Sequence, residues 1–326
     1  MLRVGIAGLG RWGQTLVSSV QGRSEKIQFV AGCTGRKERA QAFCALNRID
    51  LRPRLDDLLR DRGIDGIVLA TPHSLHAEQI VACAAARKPV FVEKPFALTA
   101  ESAADAVEAC RIANIVCALG HNRRFLPAMR KLTTVVKGGE IGRVQHVEAQ
   151  FSSEGGHRYT ADVWRASRTE SPAGGMTALG IHAVDALISV FGEIGEVIAL
   201  SERRVVAIDI DDTTALLMRF RSGVTGYLGT LITTPLFWRV HAFGDAGWAE
   251  MRQDARLSVK KRGGEEEMTE FAPTDSVRAE LEAFADAVAG KAPYPLPWTE
   301  AVHGIAVMDA VARAARAGAW VKVGPG

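Results

Sequence analysis

The sequence predicts an α/β protein in which a doubly wound parallel sheet comes first and an α+β domain with a mostly antiparallel open sheet follows. Residues 1–120 alternate short apolar β-rich runs with helical stretches, the pattern of a parallel sheet covered on both faces. After Gly120 the strand-like runs are longer, and several alternate polar and apolar residues. A chain of 326 residues exceeds one average domain, so we expect domains at 1–121 and 122–326.

The first domain is expected to contain five strands with helices between them. The strand candidates are Leu2–Ala7, Ile27–Cys33, Ile67–Ala70, Pro89–Val92 and Ile115–Leu119. The helix candidates are Trp12–Val20, Lys37–Leu46, Leu55–Arg60, Leu75–Ala86 and Ala100–Ile112. Thr99 is a suitable N-cap for the last helix, because its hydroxyl can accept a backbone N–H.

The second domain is expected to be richer in strands. Its strand candidates are Val144–Phe151, Glu196–Arg204, Thr213–Arg221, Val224–Thr233 and Phe237–Phe243, and a helix is expected from Leu179 to Phe191. Short turns between some of these strands favour antiparallel neighbours. Apolar residues from Val277 to Val288 recur at helical spacing up to Gly290, and Thr299 is a candidate cap for a final helix through Arg316.

The composition excludes several classes of protein. An apolar fraction of 47% with 24% charged residues is ordinary for a globular chain and excludes a largely disordered one. The net charge of +3 is too balanced to indicate a nucleic-acid or membrane-surface partner. No apolar run approaches the roughly 20 residues that span a bilayer.

The N-terminus and the cysteines predict a cytoplasmic protein. The first strand candidate begins at Leu2, which leaves no room for a signal peptide. The five cysteines are odd in number, form no C-x-x-C pair and lie among apolar neighbours. We interpret them as buried thiols in a reducing compartment, with no disulfide and no metal site.

Gly8-Leu9-Gly10-Arg11-Trp12-Gly13 is a G-x-G-x-x-G motif between the first strand and the first helix. In this position Gly8 permits a tight turn, Gly10 lets a pyrophosphate approach the backbone, and Gly13 lets the helix pack closely on the sheet. The helix N-terminus supplies amide donors for the phosphates. The motif therefore predicts a dinucleotide-binding Rossmann domain in which Gly8, Gly10, Arg11, Trp12 and Gly13 contact the cofactor.

The end of the second strand bears on the choice of dinucleotide. An acidic residue that binds the adenosine ribose is expected there, but Thr34 takes its place, and Arg36 and Lys37 follow. Without the carboxylate, a 2′-phosphate is not repelled, and the two cations can bind it. The alternative is a solvated helix start in which they bind nothing. We expect NADP to be preferred over NAD.

Three further segments carry a family resemblance. Phe91-Val92-Glu93-Lys94-Pro95-Phe96 comes at the end of the strand candidate Pro89–Val92, and Ala70-Thr71-Pro72-His73-Ser74-Leu75-His76 at the end of the candidate Ile67–Ala70. With the glycine motif, they resemble the Gfo/Idh/MocA oxidoreductases, the relatives of glucose–fructose oxidoreductase and inositol dehydrogenase. The segment Gly120–Pro127 resembles the family's crossing between domains, and Gly180-Ile181-His182-Ala183-Val184-Asp185 its substrate-side helix.

The resemblance implies reversible hydride transfer between a nicotinamide and a carbinol carbon of a sugar, inositol or related polyol. It makes Lys94 the residue that bonds the reacting hydroxyl, and it implies that the Lys94–Pro95 bond is cis. The chemistry is reasonable, because removing the hydroxyl proton requires a base, and burial or a nearby cation can make a lysine basic enough. The alternative for Lys94, an ion pair with Glu93, is disfavoured because neighbouring strand residues point to opposite faces.

The resemblance also implies a role for His182 in proton transfer or in binding a second hydroxyl; the alternative is a core histidine. Asp185 either orients His182 or lies between the domains. Many family members carry an aspartate four residues before this histidine, where this chain has Ala178. His182 therefore works with Lys94 alone, or the substrate differs from an inositol, or catalysis has been lost.

The remaining site residues follow from the same resemblance. Cofactor contacts are implied for Thr71, Pro72, His73, His76, Glu93, Lys94 and Arg124. Arg124 is preferred over Arg123, because consecutive residues of a regular segment cannot both point into one site. Tyr159 and Arg165 are candidate substrate ligands on a loop that, with Arg158 and Arg168, could bind an anionic group. The alternative for these arginines is an ordinary solvated surface.

Two other functions on the same fold stay open. One is a non-catalytic NAD(P)-binding sensor, and the other is an NAD-assisted glycosidase. We expect a small-molecule partner and a homodimer or homotetramer formed through the C-terminal sheet. One face of that sheet, which includes Thr213–Phe220, is otherwise left open with apolar residues on it.

Overall fold

A computed structural model describes residues 1–324 and divides the chain into two compact units. The first unit contains Met1–Ala97, Glu101–Asn122 and Asp275–Trp298. The second contains Leu98–Ala100, Arg123–Thr274 and the chain from Thr299 onward. The chain crosses from one unit to the other several times, and not only near residue 121. The domain limits of 1–121 and 122–326 remain a proposal.

The strands and helices are numbered in chain order. The strands are β1 (Leu2–Ala7), β2 (Ile27–Cys33), β3 (Asp50–Arg52), β4 (Gly66–Leu69), β5 (Val90–Glu93), β6 (Cys117–Gly120), β7 (Val144–Ser152), β8 (Ile194–Glu202), β9 (Thr213–Phe220), β10 (Thr225–Leu231), β11 (Phe237–Gly244), β12 (Gly247–Arg252), β13 (Arg256–Lys261), β14 (Glu266–Glu270) and β15 (Val321–Lys322). The helices are α1 (Arg11–Val20), α2 (Lys37–Asn47), α3 (Leu55–Leu59), α4 (His76–Ala85), α5 (Ala100–Ala113), α6 (Pro127–Lys137), α7 (Ile181–Phe191), α8 (Ser276–Val288) and α9 (Trp298–Ala317). No helix within residues 1–324 combines the length and apolarity needed to cross a bilayer.

The first unit contains a six-stranded parallel sheet in the order β3-β2-β1-β4-β5-β6. This confirms the predicted doubly wound sheet. All six carboxyl ends lie at one edge, which is where such sheets bind ligands. The sequence analysis missed β3, because its three residues alternate charged and apolar side chains and read as a loop.

The core of the first unit includes a helix from the far end of the chain. Phe29 and Phe91 of the sheet are almost completely buried, in one cluster with Leu281 and Phe284 of α8. The apolar residues whose spacing predicted α8 therefore lie on the face that α8 packs against the core. Gly290, at φ +68°, follows the helix, as the sequence predicted.

The second unit contains a nine-stranded sheet in the order β14-β13-β12-β11-β7-β10-β9-β8-β15. Its neighbours are antiparallel except for the parallel pair β7 and β10, which confirms a mostly antiparallel sheet. The sequence analysis missed β12, β13 and β14. The side chains of β14 are exposed along its whole length and include three glutamates, so pairing with β13 and not burial makes it a strand.

Two helix starts differ from expectation. A single turn of π-helix, Met176–Gly180, precedes α7, where the sequence predicted ordinary helix from Leu179. Helix α9 already begins at Trp298, so the prediction that Thr299 caps it is wrong. The sequence analysis also missed α6, although Met129, Leu132 and Val135 bury one face of it at helical spacing.

Candidate functional site

The glycine turn joins β1 to α1 with a geometry that only small residues allow. Gly8 has φ +98°, and a Cβ there would lie 2.3 Å from the Ala70 carbonyl oxygen. A Cβ on Gly13 would lie 1.9 Å from the Gly8 carbonyl oxygen. Both positions therefore require glycine for the close approach of turn, helix and neighbouring strand.

Gly10 is different, because its surroundings are open. A Cβ on Gly10 would meet no heavy atom of the described chain within 4 Å, and the residue lies in extended backbone immediately before α1. Space beside the first amides of a ten-residue helix suits a phosphate group. The turn therefore fits the pyrophosphate of a dinucleotide. Of the other predicted contacts here, Arg11 is exposed and Trp12 is half-buried against the core.

The carboxyl end of β2 carries charges of both signs. Thr34 is half-buried, and Arg36 and Lys37 are exposed at the start of α2. Burial raises the pKa of the Cys33 thiol to about 11; the Asp57 carboxylate adds to this rise, and the Lys37 ammonium opposes it. An acidic group that the sequence analysis missed therefore acts on the same strand end as Lys37, contributed by the first turn of α3.

The segment after β4 is held by side chains of α4. The Thr71 hydroxyl donates to Gln79 Oε1 at 2.6 Å. His76 is fully buried, with Nδ1 2.8 Å from the Pro95 carbonyl oxygen and Nε2 3.1 Å from the Thr71 carbonyl oxygen. Thr71 and Pro72 are half-buried, and His73 is buried. Cofactor contacts by these four residues stay predictions.

Lys94 is the first residue beyond β5, and the Lys94–Pro95 bond is cis, as predicted. Lys94 is half-buried, whereas Glu93 is 5% exposed. A Cβ on Gly120 would lie 2.9 Å from Glu93 Oε1, so the glycine at the end of β6 makes room for this carboxylate. The sheet thus places Lys94 at the same edge as the glycine turn, since β1 and β5 are parallel.

In the second unit, His182 is half-buried in the first turn of α7. Its ring centroid is 5.9 Å from that of Phe151 at the end of β7. Phe151 also lies 4.9 Å from the Trp238 ring and 5.2 Å from the Arg123 guanidinium carbon. This cluster of Phe151, Trp238 and His182 was not predicted, because no pattern in a single sequence indicates that β7, β11 and α7 lie together.

Arg124 forms a buried ion-pair network. Its Nε and Nη2 donate to both carboxylate oxygens of Asp185 at 2.7–3.0 Å, and Nη2 also donates to Glu300 Oε2 at 2.7 Å. Burial lowers the pKa of the guanidinium, but the two carboxylates more than reverse this, so the pKa lies above its ordinary value. Asp185 is thus paired with Arg124. A cofactor contact by Arg124 stays a prediction.

The turn that holds Ala178 is packed too closely for larger residues at Gly180. A Cβ on Gly180 would lie 2.3 Å from Met176 Sδ, and the Thr230 hydroxyl donates to the same sulfur at 2.7 Å. Ala178 is half-buried within this turn. A π-helical turn often marks a functional site, and this one leads directly to His182.

The loop of candidate substrate ligands is partly neutralised. Arg168 pairs with Asp209 and Asp211 at 3.1 Å each, and these bonds raise its pKa. The Arg165 guanidinium carbon lies 4.0 Å above the Trp164 ring. Tyr159 is half-buried and Arg158 is exposed. Because Arg168 already has two carboxylate partners, the loop offers less free positive charge to an anionic substrate than the sequence indicated.

Comparison with known proteins identifies the class. Residues 2–121 match the oxidoreductase family with an NAD-binding Rossmann fold, and residues 129–250 match the Gfo/Idh/MocA C-terminal domain. The chain is therefore a Rossmann-fold oxidoreductase, and it belongs to the Gfo/Idh/MocA family. This confirms the resemblance carried by the glycine turn and the Glu-Lys-Pro segment.

Several characterised relatives are dehydrogenases or reductases. A trans-1,2-dihydrobenzene-1,2-diol dehydrogenase from Mus musculus is 27% identical over 73% of this chain and 70% of its own length. A 1,5-anhydro-D-fructose reductase from Ensifer adhaerens is 26% identical over 98% of this chain and all of its own. A crystal structure of a provisionally assigned NADPH-dependent oxidoreductase from Desulfitobacterium hafniense superposes with a TM-score of 0.91 at 23% identity, over 99% and 97% of the two chains.

Proposed function

We propose that this protein is an NADP-dependent dehydrogenase or reductase that acts on a CH–OH group of a sugar, inositol or related polyol. The observation that carries the proposal is Lys94, which stands at the same sheet edge as the open glycine turn, one residue beyond β5. A proton-transfer residue and a phosphate-binding turn on one edge are what such a reaction needs. The two relatives support the substrate class, because one acts on a cyclic diol and the other on an anhydrosugar.

The bound nicotinamide would accept the hydride from the carbinol carbon, or return it in the reverse direction. In oxidation, the Lys94 amine takes the proton from the substrate hydroxyl, so a carbonyl forms without a free alkoxide. His182 either binds a second hydroxyl or shares the proton transfer. Tyr159 and Arg165 are proposed to bind the rest of the substrate. Ala178 supplies no carboxylate, so in this proposal the Asp–His arrangement of many relatives is not used.

The first test is Lys94→Ala. Turnover should fall to background while NADPH binding survives, since the glycine turn holds the phosphates. Lys94→Arg should recover little, because arginine stays protonated near neutral pH. Lys131→Ala, an exposed lysine on α6, is the matched control and should keep full activity. Wild-type turnover by Lys94→Ala on an identified substrate would reject the proposal.

The double variant Lys94→Ala/His182→Ala tests the proposed role of His182. If the two residues act as one unit, the double variant should lose no more than either single variant. If His182 only orients substrate, its own variant should be milder and should mainly raise KM.

Cofactor preference is the second test. We propose NADP over NAD, because Thr34 replaces the expected acid and exposed Arg36 and Lys37 follow it. The family description, which names NAD, argues the other way. Arg36→Ala should weaken NADPH binding about tenfold or more and leave NADH binding nearly unchanged. Arg39→Ala, with the same charge loss one turn along α2, is the control. Equal losses for both dinucleotides would reject the assignment.

The sensor and glycosidase alternatives are separated from this proposal by one assay. A dehydrogenase consumes external NADP or NADPH in proportion to substrate, whereas a sensor does not turn over, and a glycosidase returns its bound NAD unchanged. A screen over sugars, inositols, uronates and dihydrodiols, followed by absorbance of the reduced nicotinamide, provides the substrate and the answer together.

We also propose a cytoplasmic homodimer or homotetramer. The five cysteines are all free thiols, which suits a reducing compartment. On the sheet face that carries Tyr227, Leu217 is 50% exposed and Leu200 is 70% exposed, and a partner would cover them. Light scattering should give a multiple of the 35.0 kDa chain mass, and Leu217→Lys should reduce it. A monomer at micromolar concentration would reject this assembly.

A further inference from the structure

The feature that carries a further inference is His76, at the start of α4. Its side chain is 0% exposed, and both ring nitrogens lie within hydrogen-bonding distance of backbone carbonyl oxygens. Nδ1 faces Pro95 and Nε2 faces Thr71. Because carbonyl oxygens only accept, a neutral ring donates a hydrogen bond through one of these nitrogens and contacts the other carbonyl, so the ring is packed between two segments of the backbone.

The two carbonyls belong to segments that the sheet no longer holds. The ladder between β4 and β5 ends at the pair Leu69 and Val92. Thr71 lies two residues beyond the end of β4, and Pro95 lies two residues beyond the end of β5. The imidazole therefore lies between the segment after β4 and the segment after β5, beyond the last pair of the strand ladder.

We propose that His76 is a positioning residue for Lys94. The Pro95 carbonyl belongs to the residue directly after Lys94, so the Nδ1 contact fixes the backbone from which the Lys94 side chain extends. The Nε2 contact links that same backbone to Thr71, which is itself a proposed cofactor contact. This inference rests on the proposed role of Lys94, and it assigns His76 to the chain's own backbone and not to the cofactor.

The physical consequence is a fixed backbone position from which the Lys94 side chain extends toward its amine. Misplacement of a reacting group by about 1 Å can cost about 100-fold in rate. Loss of the bridge should therefore lower kcat by about 10- to 100-fold, with little change in dinucleotide affinity, because the glycine turn and the end of β2 are untouched.

Three variants separate the two contacts. His76→Leu removes both, His76→Asn can return a donor near the Nδ1 position alone, and His76→Gln can return one near the Nε2 position alone. We expect the largest loss of kcat for Leu, an intermediate loss for Gln and the smallest for Asn, with NADPH dissociation constants within about threefold of wild type. His303→Leu is the matched control: it removes another buried histidine that accepts a backbone N–H, from Ile194, and should lower stability but not kcat.

A readout without turnover distinguishes failure of this inference from failure of the proposed function. The pH dependence of Lys94 acetylation by acetic anhydride, followed by mass spectrometry, should shift in His76→Leu and return toward wild type in His76→Asn, while exposed Lys131 stays unchanged. If this pattern holds but Lys94→Ala remains active, only the proposed function is rejected.

Three results would overturn the inference. They are unchanged Lys94 reactivity in folded His76→Leu, equal recovery by Asn and Gln, or a loss of NADPH affinity as large as the loss of kcat. Circular dichroism establishes which variants fold, and the near-isosteric His76→Asn keeps the test decisive if His76→Leu does not.

Discussion

The glycine turn of the first unit and the Arg124 network of the second position their neighbours by opposite means. At the turn, the lack of a side chain allows close packing: backbone oxygens lie 2.3 Å and 1.9 Å from the positions that a Cβ would take on Gly8 and Gly13. In the network, three charged side chains meet in a largely buried place, and Asp185 accepts three hydrogen bonds from the guanidinium of Arg124. An added Cβ at Gly8 or Gly13 would clash with the backbone, whereas the network is disrupted when one of its charged side chains is removed.

The largest effect is expected from deleting the centre of the network. Arg124→Met removes the guanidinium that pairs with the buried Asp185 carboxylate, and breaking a buried ion pair costs about 3–5 kcal/mol in comparable sites. Urea unfolding should show this loss. The control Arg313→Met removes an exposed i,i+4 pair with Asp309, worth about 0.3–0.5 kcal/mol, and a long hydrogen bond of 3.4 Å to the Lys322 carbonyl oxygen. Similar small losses for both variants would show that the network carries little stability.

An addition at the turn sharpens the comparison. Gly13→Ala places a methyl group against the Gly8 carbonyl and should cost about 1–3 kcal/mol of stability, as overpacking does. Gly10→Ala meets open space, so its stability should hold while dinucleotide affinity falls about tenfold or more, because the methyl group occupies the place of the pyrophosphate. Thermal unfolding and titration with NADPH separate the two. Full NADPH affinity in Gly10→Ala would contradict the assignment of the turn.

The smallest effect at neutral pH concerns a single titratable group in the second sheet. Burial lowers the pKa of His241 to about 4, nearby Arg239 lowers it further, and Glu148 opposes the shift. Its ring packs 3.9 Å from that of Phe243. An unfolded histidine titrates near 6.5, so protonation favours the unfolded chain, and stability is lost as the pH falls from about 6.5 toward 4.

His241→Phe should reduce this acid sensitivity while changing stability little at pH 7.5. Urea unfolding at pH 7.5, 5.5 and 4.5 measures the difference. The control is His157→Phe, since His157 is exposed on the loop after β7. If His241→Phe and wild type lose stability in parallel on acidification, His241 is not the group responsible.

The first unit could be predicted closely because its signals are local. The limits of β1 and β2 agree with the sequence prediction to the residue, and α1 and α2 differ from it by one residue at one end. Continuous apolar strands, glycine spacing and the Glu-Lys-Pro segment each act over a few neighbouring residues. The strand β14 could not be predicted, because its exposed glutamates become a strand only by pairing with β13.

The candidate site divides along the same line. The sequence alone determined the residue types that carry the chemistry: the glycines of the turn, Lys94 after a buried strand, and the replacement of an expected acid by Thr34. The glycines and Thr34 follow from spacing, whereas the role of Lys94 is what the family resemblance implies, supported by the chemistry of a lysine base; none of the three needs knowledge of distant neighbours.

Only the tertiary structure decided what those residues are bonded to. In the structure, Arg124 pairs with Asp185 and Glu300, and Phe151 lies beside His182. The two ring nitrogens of His76 face the carbonyl oxygens of Thr71 and Pro95. The reason is physical: Arg124 and Glu300 are 176 positions apart in the chain, and no pattern in a single sequence indicates that two such distant residues are in contact. The chemistry of a side chain can be inferred from its own residue type and its neighbours in the sequence. The partners that orient it depend on which strands and helices the fold brings together.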